Sequence, residues 1–218
     1  TVAMDTASNV SASGAPAFNL VAGLVTWSLS VQSIRLGKDA YMAPDMVTRA
    51  ALMRLSAQTT QDFKAVSTRS RELGVDALDN AQPFMGALGD YDERTRPADW
   101  PERVLKTYLG MGLLGDFAAH AVSLLPPALA SELAPYLDHR ELDAFASASI
   151  LGAAGSDLQL AARLGLWGRR VVGEEVGTFH ALLARFKGLA ADDAARQGYH
   201  DALSAGAATR MKGLGLRV

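Results

Sequence analysis

Apolar positions recur along most of this chain at three- and four-residue steps, the period of a helix with one buried face, and alternating strand patterns are hard to find. Leu20, Leu24, Trp27, Val31 and Ile34 mark such a stripe in a first helix over about 17–42. Pro44 and Asp45 then punctuate, and a second helix runs over about 44–73, with Gly74 as its C′ residue. Residues 75–99, with Pro83, Gly86, Gly89 and Pro97, read as a long crossover holding one short helical piece. Asp99 is a good N-cap before Pro101 and Glu102, so a third helix starts there and continues to 125, where Pro126 and Pro127 stop it. Shorter helices follow over about 127–137 and 140–153. A break at Gly155, Ser156 and Asp157 leads into a long helix over about 158–189. The last helix opens at Asp192 and Asp193 and ends near 213–215.

Composition narrows the class. At 218 residues with 49% hydrophobic content the chain can fill a single core, expected over 16–218. The stretch 1–15 is rich in Ser, Ala and Thr and reads as a disordered leader, with neither the basic nor the apolar region of a signal peptide. No apolar run is long and clean enough to suggest a membrane span, and a cytoplasmic location is expected. The net charge of −2 argues against a general nucleic-acid surface, although the last helix carries Arg196, His200, Arg210, Lys212 and Arg217. With no cysteine there is no thiolate chemistry and no disulfide framework. Mixed charge at Arg69, Arg71 and Glu72, and at Arg169, Arg170, Glu174 and Glu175, reads as solvated outer faces. Long helices with a long connection after the second indicate an all-α, four-helix bundle core with additional helices.

Several ordered segments extend this reading. They are Arg71-Glu-Leu-Gly-Val-Asp76, Asp99-Trp100, Lys106-Thr-Tyr-Leu-Gly110, Gly115-Asp-Phe117, Leu164-Gly-Leu-Trp-Gly-Arg-Arg170, Val171-Val-Gly-Glu174 and Thr209-Arg-Met-Lys-Gly-Leu-Gly-Leu216. Together they resemble a bacterial ferritin-like family related to the tRNA hydroxylase that acts on modified isopentenyl-adenosine. The resemblance implies a diiron centre held by carboxylates and Glu-x-x-His pairs facing into the bundle. Here no Glu-x-x-His or Asp-x-x-His occurs. The family's ligand positions fall on Ser28, Thr59, Asp62 and Met111, with a later pair in the region 139–142, while Asp116 appears as an acidic residue of the pattern. Hydroxyls and thioethers do not neutralise iron as bridging carboxylates do. The diiron ligands therefore read as lost, with no metal or other cofactor expected.

Asp62 is the sharpest candidate. It shares a helical stripe with Leu52, Leu55, Thr59 and Val66, and a carboxylate on that face is costly unless partnered. It reads either as a general acid or base in the vacated cavity, or as a structural carboxylate bonded to a neighbouring helix. Asp116 and His120 share a face four residues apart and read as a proton-transfer pair, as ligands of a mononuclear site with Asp62, or as a simple surface pair. Ser28 and Thr59 orient a polar ligand group or bond their own helix carbonyls. Tyr108 and Met111 form core packing or a pocket wall, and Trp27 completes the substrate-binding candidates. Gly110-x-Gly112-x-x-Gly115 lies inside a helix, so it indicates close helix approach or a widened cavity, not a dinucleotide loop.

The reading is a metal-independent enzyme or binder for a mostly apolar small molecule in a biosynthetic pathway, catalysing a cyclisation, dehydration or isomerisation. The alternatives are an iron-dependent hydroxylase with atypical ligands drawn from Asp62, Asp116, His120, Glu175 and the region of His139, and a non-catalytic subunit. A homodimer is compatible with all three.

Overall fold

The structure, a computed structural model, describes residues 16–216, so the expected leader over 1–15 and Arg217 lie outside the described residues. The described chain folds as α1 (Pro16–Met42), α2 (Met46–Glu72), α3 (Ala77–Ala81), α4 (Gly89–Arg94), α5 (Trp100–Ser123), α6 (Pro127–Leu133), α7 (Arg140–Ala154), α8 (Leu158–Arg185) and α9 (Asp193–Gly213). Single 3-10 turns occupy Gln82–Phe84 and Ala134–Leu137, and there is no strand among the described residues. The all-α bundle read from the sequence is the observed architecture.

Aspartates start most of the long helices. Asp45 accepts the Thr48 amide at 2.8 Å, Asp99 that of Glu102 at 3.0 Å, Asp157 that of Leu160 at 2.9 Å and Asp192 that of Ala195 at 2.8 Å. Each satisfies a backbone donor that the first helical turn leaves open, and each is worth about 1 kcal/mol. Gly74 ends α2 with φ of 83°, a left-handed conformation that glycine adopts without strain. Two boundaries differ from expectation. The helix expected over 127–137 tightens into a 3-10 turn at Ala134. The long helix expected to reach 189 stops at Arg185, because the chain turns to bury Leu189 and Ala190, and Tyr199 of α9 donates its hydroxyl to the Leu189 carbonyl at 3.0 Å.

α1 pairs with α2 on one side and packs on α5 on another, and the other sides of α5 meet α7, α8 and α9. Both central helices are buried nearly all round, α1 from Val21 to Leu29 and α5 from Val104 to Gly115. By length and composition α1 is apolar enough to cross a bilayer, and in this fold it is a core helix covered by α2, α3 and α5. Its buried face does not follow the expected stripe: Ile34 is 60% exposed, whereas Gln32, Arg35 and Asp39 are buried. A smaller core of Leu36, Ala40, Leu52, Leu55, Met111 and Leu142 fills the junction of α1, α2, α5 and α7, beside a cleft.

Candidate functional site

The first cleft, about 510 Å³, lies between α2, α5 and the stretch that leads into α7. Leu55, Gln58, Thr59 and Asp62 come from α2, Met111 from α5 and Leu36 from α1, while Pro135, His139, Glu141 and Leu142 form the opposite side. Three sequence candidates, Thr59, Asp62 and Met111, therefore share one cavity. Asp62 is half-buried and not in the core; it accepts a hydrogen bond from Gln58 Nε2 one turn earlier at 3.1 Å. Thr59 donates to the Leu55 carbonyl at 2.9 Å, which leaves its oxygen able to accept.

His139 was legible only as part of an uncertain region. Its ring presses on α5, with Nε2 buried, without a hydrogen-bond partner, and 2.5 Å from where a Cβ at residue 115 would stand. Only glycine there admits the ring. Burial pushes the His139 imidazole below the ordinary histidine range, Asp143 pulls it up and Arg210 pushes it down again. The ring is therefore neutral near pH 7. Burial raises the neighbouring Asp143 carboxyl in turn.

The remaining candidates are dispersed. Asp116 and His120 are not partners: Asp116 is bound through both oxygens by Arg210 of α9, at 2.6 and 3.0 Å, and His120 packs edge-on against Tyr199 with ring centroids 4.4 Å apart. Burial lowers the His120 pKa. Ser28 is fully buried and donates to the Val25 carbonyl at 2.9 Å, three residues back, and it does not line the first cleft. Tyr108 packs in the main core. Trp27 does not line this cleft; it lines a different one, between α1, α4 and α5.

The glycine string on α5 has a definite use. Each of its glycines receives the polar end of a side chain from another element. Gly112 faces the Arg210 guanidinium, whose Nε is 2.1 Å from an ideal Cβ position, and Gly115 faces His139. At Gly110, Arg35 Nη1 and Glu175 Oε2 are each 2.8 Å from the Cβ position, and the Tyr91 hydroxyl is 3.0 Å from it. This cluster went unread in the sequence. Glu175 belongs to a face expected to be solvated, yet it is completely buried, because α8 turns Leu164, Gly168, Val171, Glu175, Phe179 and Leu182 inward. The stripe at three- and four-residue steps is visible in the sequence and was the available signal. Ser28, Gln32, Arg35 and Asp39 repeat it on α1.

Neither Glu175 oxygen, neither Arg35 Nη nor the Tyr91 hydroxyl completes a hydrogen bond with the protein. Burial pushes the Glu175 carboxyl up to about 8 against the opposing pull of Arg35, and pushes Tyr91 well above its ordinary value. Lys106 closes the cluster from above, its Nζ 2.8 Å from Asp92 and 5.0 Å from the Tyr91 ring centre.

The diiron centre implied by the resemblance does not fit these residues. Among the described residues, no three His, Cys, Asp or Glu side chains converge as metal ligands. Glu175, the most deeply buried carboxylate described, faces a guanidinium, and the permanent charge of Arg35 would repel a metal cation there. Asp116 has both oxygens engaged by Arg210.

Residues 17–191 match a family model described as ferritin-like domain, actinomycetes. No curated protein matches the chain.

Proposed function

Because the chain belongs to the ferritin-like domain family of actinomycetes, we propose that it uses the bundle as a metal-independent enzyme or binder for a mostly apolar small molecule in a biosynthetic pathway. The single observation that supports this reading is the grouping of Asp62, Thr59, Met111 and His139 around one cavity of about 510 Å³. Leu36, Leu55, Met111, Pro135 and Leu142 supply an apolar lining for the body of the ligand. Thr59 accepts a hydrogen bond from a ligand hydroxyl. With Nε2 pressed on α5, the His139 imidazole uses Nδ1 to take a proton and return it at a neighbouring atom, a shuttle with no net proton change, as an isomerisation requires. Asp62 supports the acid–base work from the opposite wall. The finer relation to the tRNA hydroxylase group has no supporting donor set among the described residues. The cations of the last helix do not favour RNA either, since Arg196 pairs with Asp193 and Arg210 with Asp116.

The proposal includes a cytoplasmic location and a homodimer. Exposed Tyr41, Met42, Met46 and Val47, at the turn between α1 and α2, favour self-association. Light scattering at micromolar concentration reads the mass directly.

Ligand-observed NMR with neutral, mostly apolar alcohols, ketones and alkenes tests the site. Gln58 is exposed and lines the cleft, so Gln58→Trp fills it without disturbing the core. Loss of binding in that variant supports the reading, and full retention rejects it. Elemental analysis of freshly purified protein, without chelator, tests the metal-independent part. One or two irons per chain would restore an oxygen-activating hydroxylase.

A further inference from the structure

The last two long helices bring two histidines together. His180 of α8 and His200 of α9 line a cleft of about 430 Å³ that shares no residue with the first cleft. We propose that this pair is a binding site for a late first-row divalent metal ion of the zinc class, ligated by His180 Nε2 and His200 Nδ1.

The spacing of the two rings carries the first part of the argument. His200 Nδ1 and His180 Nε2 are 3.4 Å apart, with the ring planes inclined at 37°. Two nitrogens that each lie ~2.05 Å from one tetrahedral ion stand about 3.3 Å apart. The pair already has the bite of a chelate, and neither helix has to move. Each neutral imidazole carries one proton and one lone pair. Ser204 Oγ, one turn beyond His200, lies 3.5 Å from His200 Nε2 and accepts its proton, which leaves Nδ1 bare toward His180. With His180 in the matching tautomer, two lone pairs face one another, an arrangement that a cation stabilises.

The backbone beneath the rings carries the second part. Phe179 and Tyr199, the residues just before the two histidines, are completely buried, and both rest on Phe117 of α5, with ring centroids 4.7 and 5.0 Å from it. The core thus fixes the spacing of α8 and α9 at the point where the ligands project, so little ordering remains when the ion binds. His180 is exposed and His200 half-buried, and the cleft admits an ion from solvent. The surroundings suit a dication. Arg196, in the same cleft, is paired with Asp193, and Asp201, next to His200, accepts from Gln197 Nε2 at 2.8 Å, so the carboxylates outnumber the cation. Imidazole selects zinc, nickel and copper over magnesium and calcium, which take oxygen ligands. Two protein ligands leave the other positions to water, so the ion is exchangeable rather than a staple of the fold. With no bridging carboxylate, the site is unrelated to a diiron centre and leaves the metal-independent reading of the first cleft as it stands.

Calorimetric titration of the untagged chain with zinc chloride, and with magnesium chloride as the control, tests the assignment. Zinc is expected to bind at one ion per chain and magnesium not at all. His180→Gln and His200→Gln are each expected to weaken zinc binding at least tenfold. Asp62→Asn, in the first cleft, is expected to leave zinc binding intact; its loss there would place the ion beside Asp62 and overturn this site. Imidazole nitrogen NMR of the unsubstituted protein needs no variant to fold. It is expected to show ligation at Nε2 of His180 and Nδ1 of His200. Ligation at His120 or His139 instead, or zinc affinity unchanged in either glutamine variant, overturns the proposal. So does saturation at half an ion per chain with a doubled mass in light scattering, which would mean an ion shared between two copies.

Discussion

Arg35 of α1 and Glu175 of α8 meet over the bare backbone of Gly110, with Arg35 Nη1 and Glu175 Oε2 each 2.8 Å from the point where a Cβ at residue 110 would stand. A methyl group there must displace a guanidinium, a carboxyl and the Tyr91 hydroxyl, all of which lie in a packed interior. Gly110→Ala is therefore expected to lower stability by about 1–3 kcal/mol, although alanine is the better helix former. Urea unfolding reads the change. A variant as stable as the parent would mean that the three side chains move aside freely.

Glu175 makes the protein sensitive to pH in a definable direction. Its folded pKa of about 8 lies above the ordinary value of 4.5, so the folded chain holds a proton that the unfolded chain releases. This contribution is fully present below about pH 4.5, is lost as pH rises through about 8, and is flat above. The loss is on the order of a few kcal/mol. Arg35, Tyr91, Lys106 and Asp92 face the same cluster. His120 and His139 act the opposite way, because burial lowers their pKa and favours the neutral ring as pH rises. The clean measurement is the difference between parent and Glu175→Gln in urea midpoint at pH 5.5 and 8.5. The variant is expected to lose relative stability at the lower pH and to gain it at the higher; parallel profiles would count against a protonated Glu175.

The helices were legible because their signals are local. Asp45, Asp99, Asp157 and Asp192 cap the turns they precede, and Pro126 and Pro127 break the chain where α5 ends. The site was only partly legible, because periodicity tells which residues share a face but not which helix covers it. Leu52, Leu55, Thr59, Asp62 and Val66 do share a stripe, yet only Leu52, Leu55 and Val66 are buried, since the cleft opens over the middle of α2. Glu175 failed in the opposite direction. Beside Glu174 and near two arginines it reads as surface, and only its register with Val171 and Phe179 reveals its burial. Glu174 itself pairs outward with Arg94 at 2.5 Å.

Asp116 and Arg210 tie α5 to α9 by two hydrogen bonds, with Gly112 and Gly206 leaving room for the guanidinium. Asp116 serves as an anchor here rather than as a partner of His120. Asp116→Asn is expected to cost about 1–3 kcal/mol, and Arg210→Met a comparable amount. In the double variant the two losses are expected to be strongly non-additive, since either change alone already breaks the pair. Strict additivity in a double-mutant cycle would show that the pair contributes nothing beyond its separate side chains.

Asp62 offers the sharpest separation of function from stability. It is half-buried, its protein hydrogen bond comes from Gln58 on the same helix, and it sits in the first cleft. Asp62→Asn keeps shape and volume and is expected to change stability by no more than about 0.5 kcal/mol. His139→Gln, by contrast, removes a ring packed on Gly115 and is expected to cost roughly 1–2 kcal/mol. With a ligand found by NMR, Asp62→Asn should bind it within severalfold of the parent but lose turnover by at least a hundredfold, a typical loss for a general acid or base. Undiminished turnover would remove Asp62 from the chemistry and leave His139 as the candidate base. A large loss of stability with turnover intact would instead make Asp62 the structural carboxylate of the alternative reading.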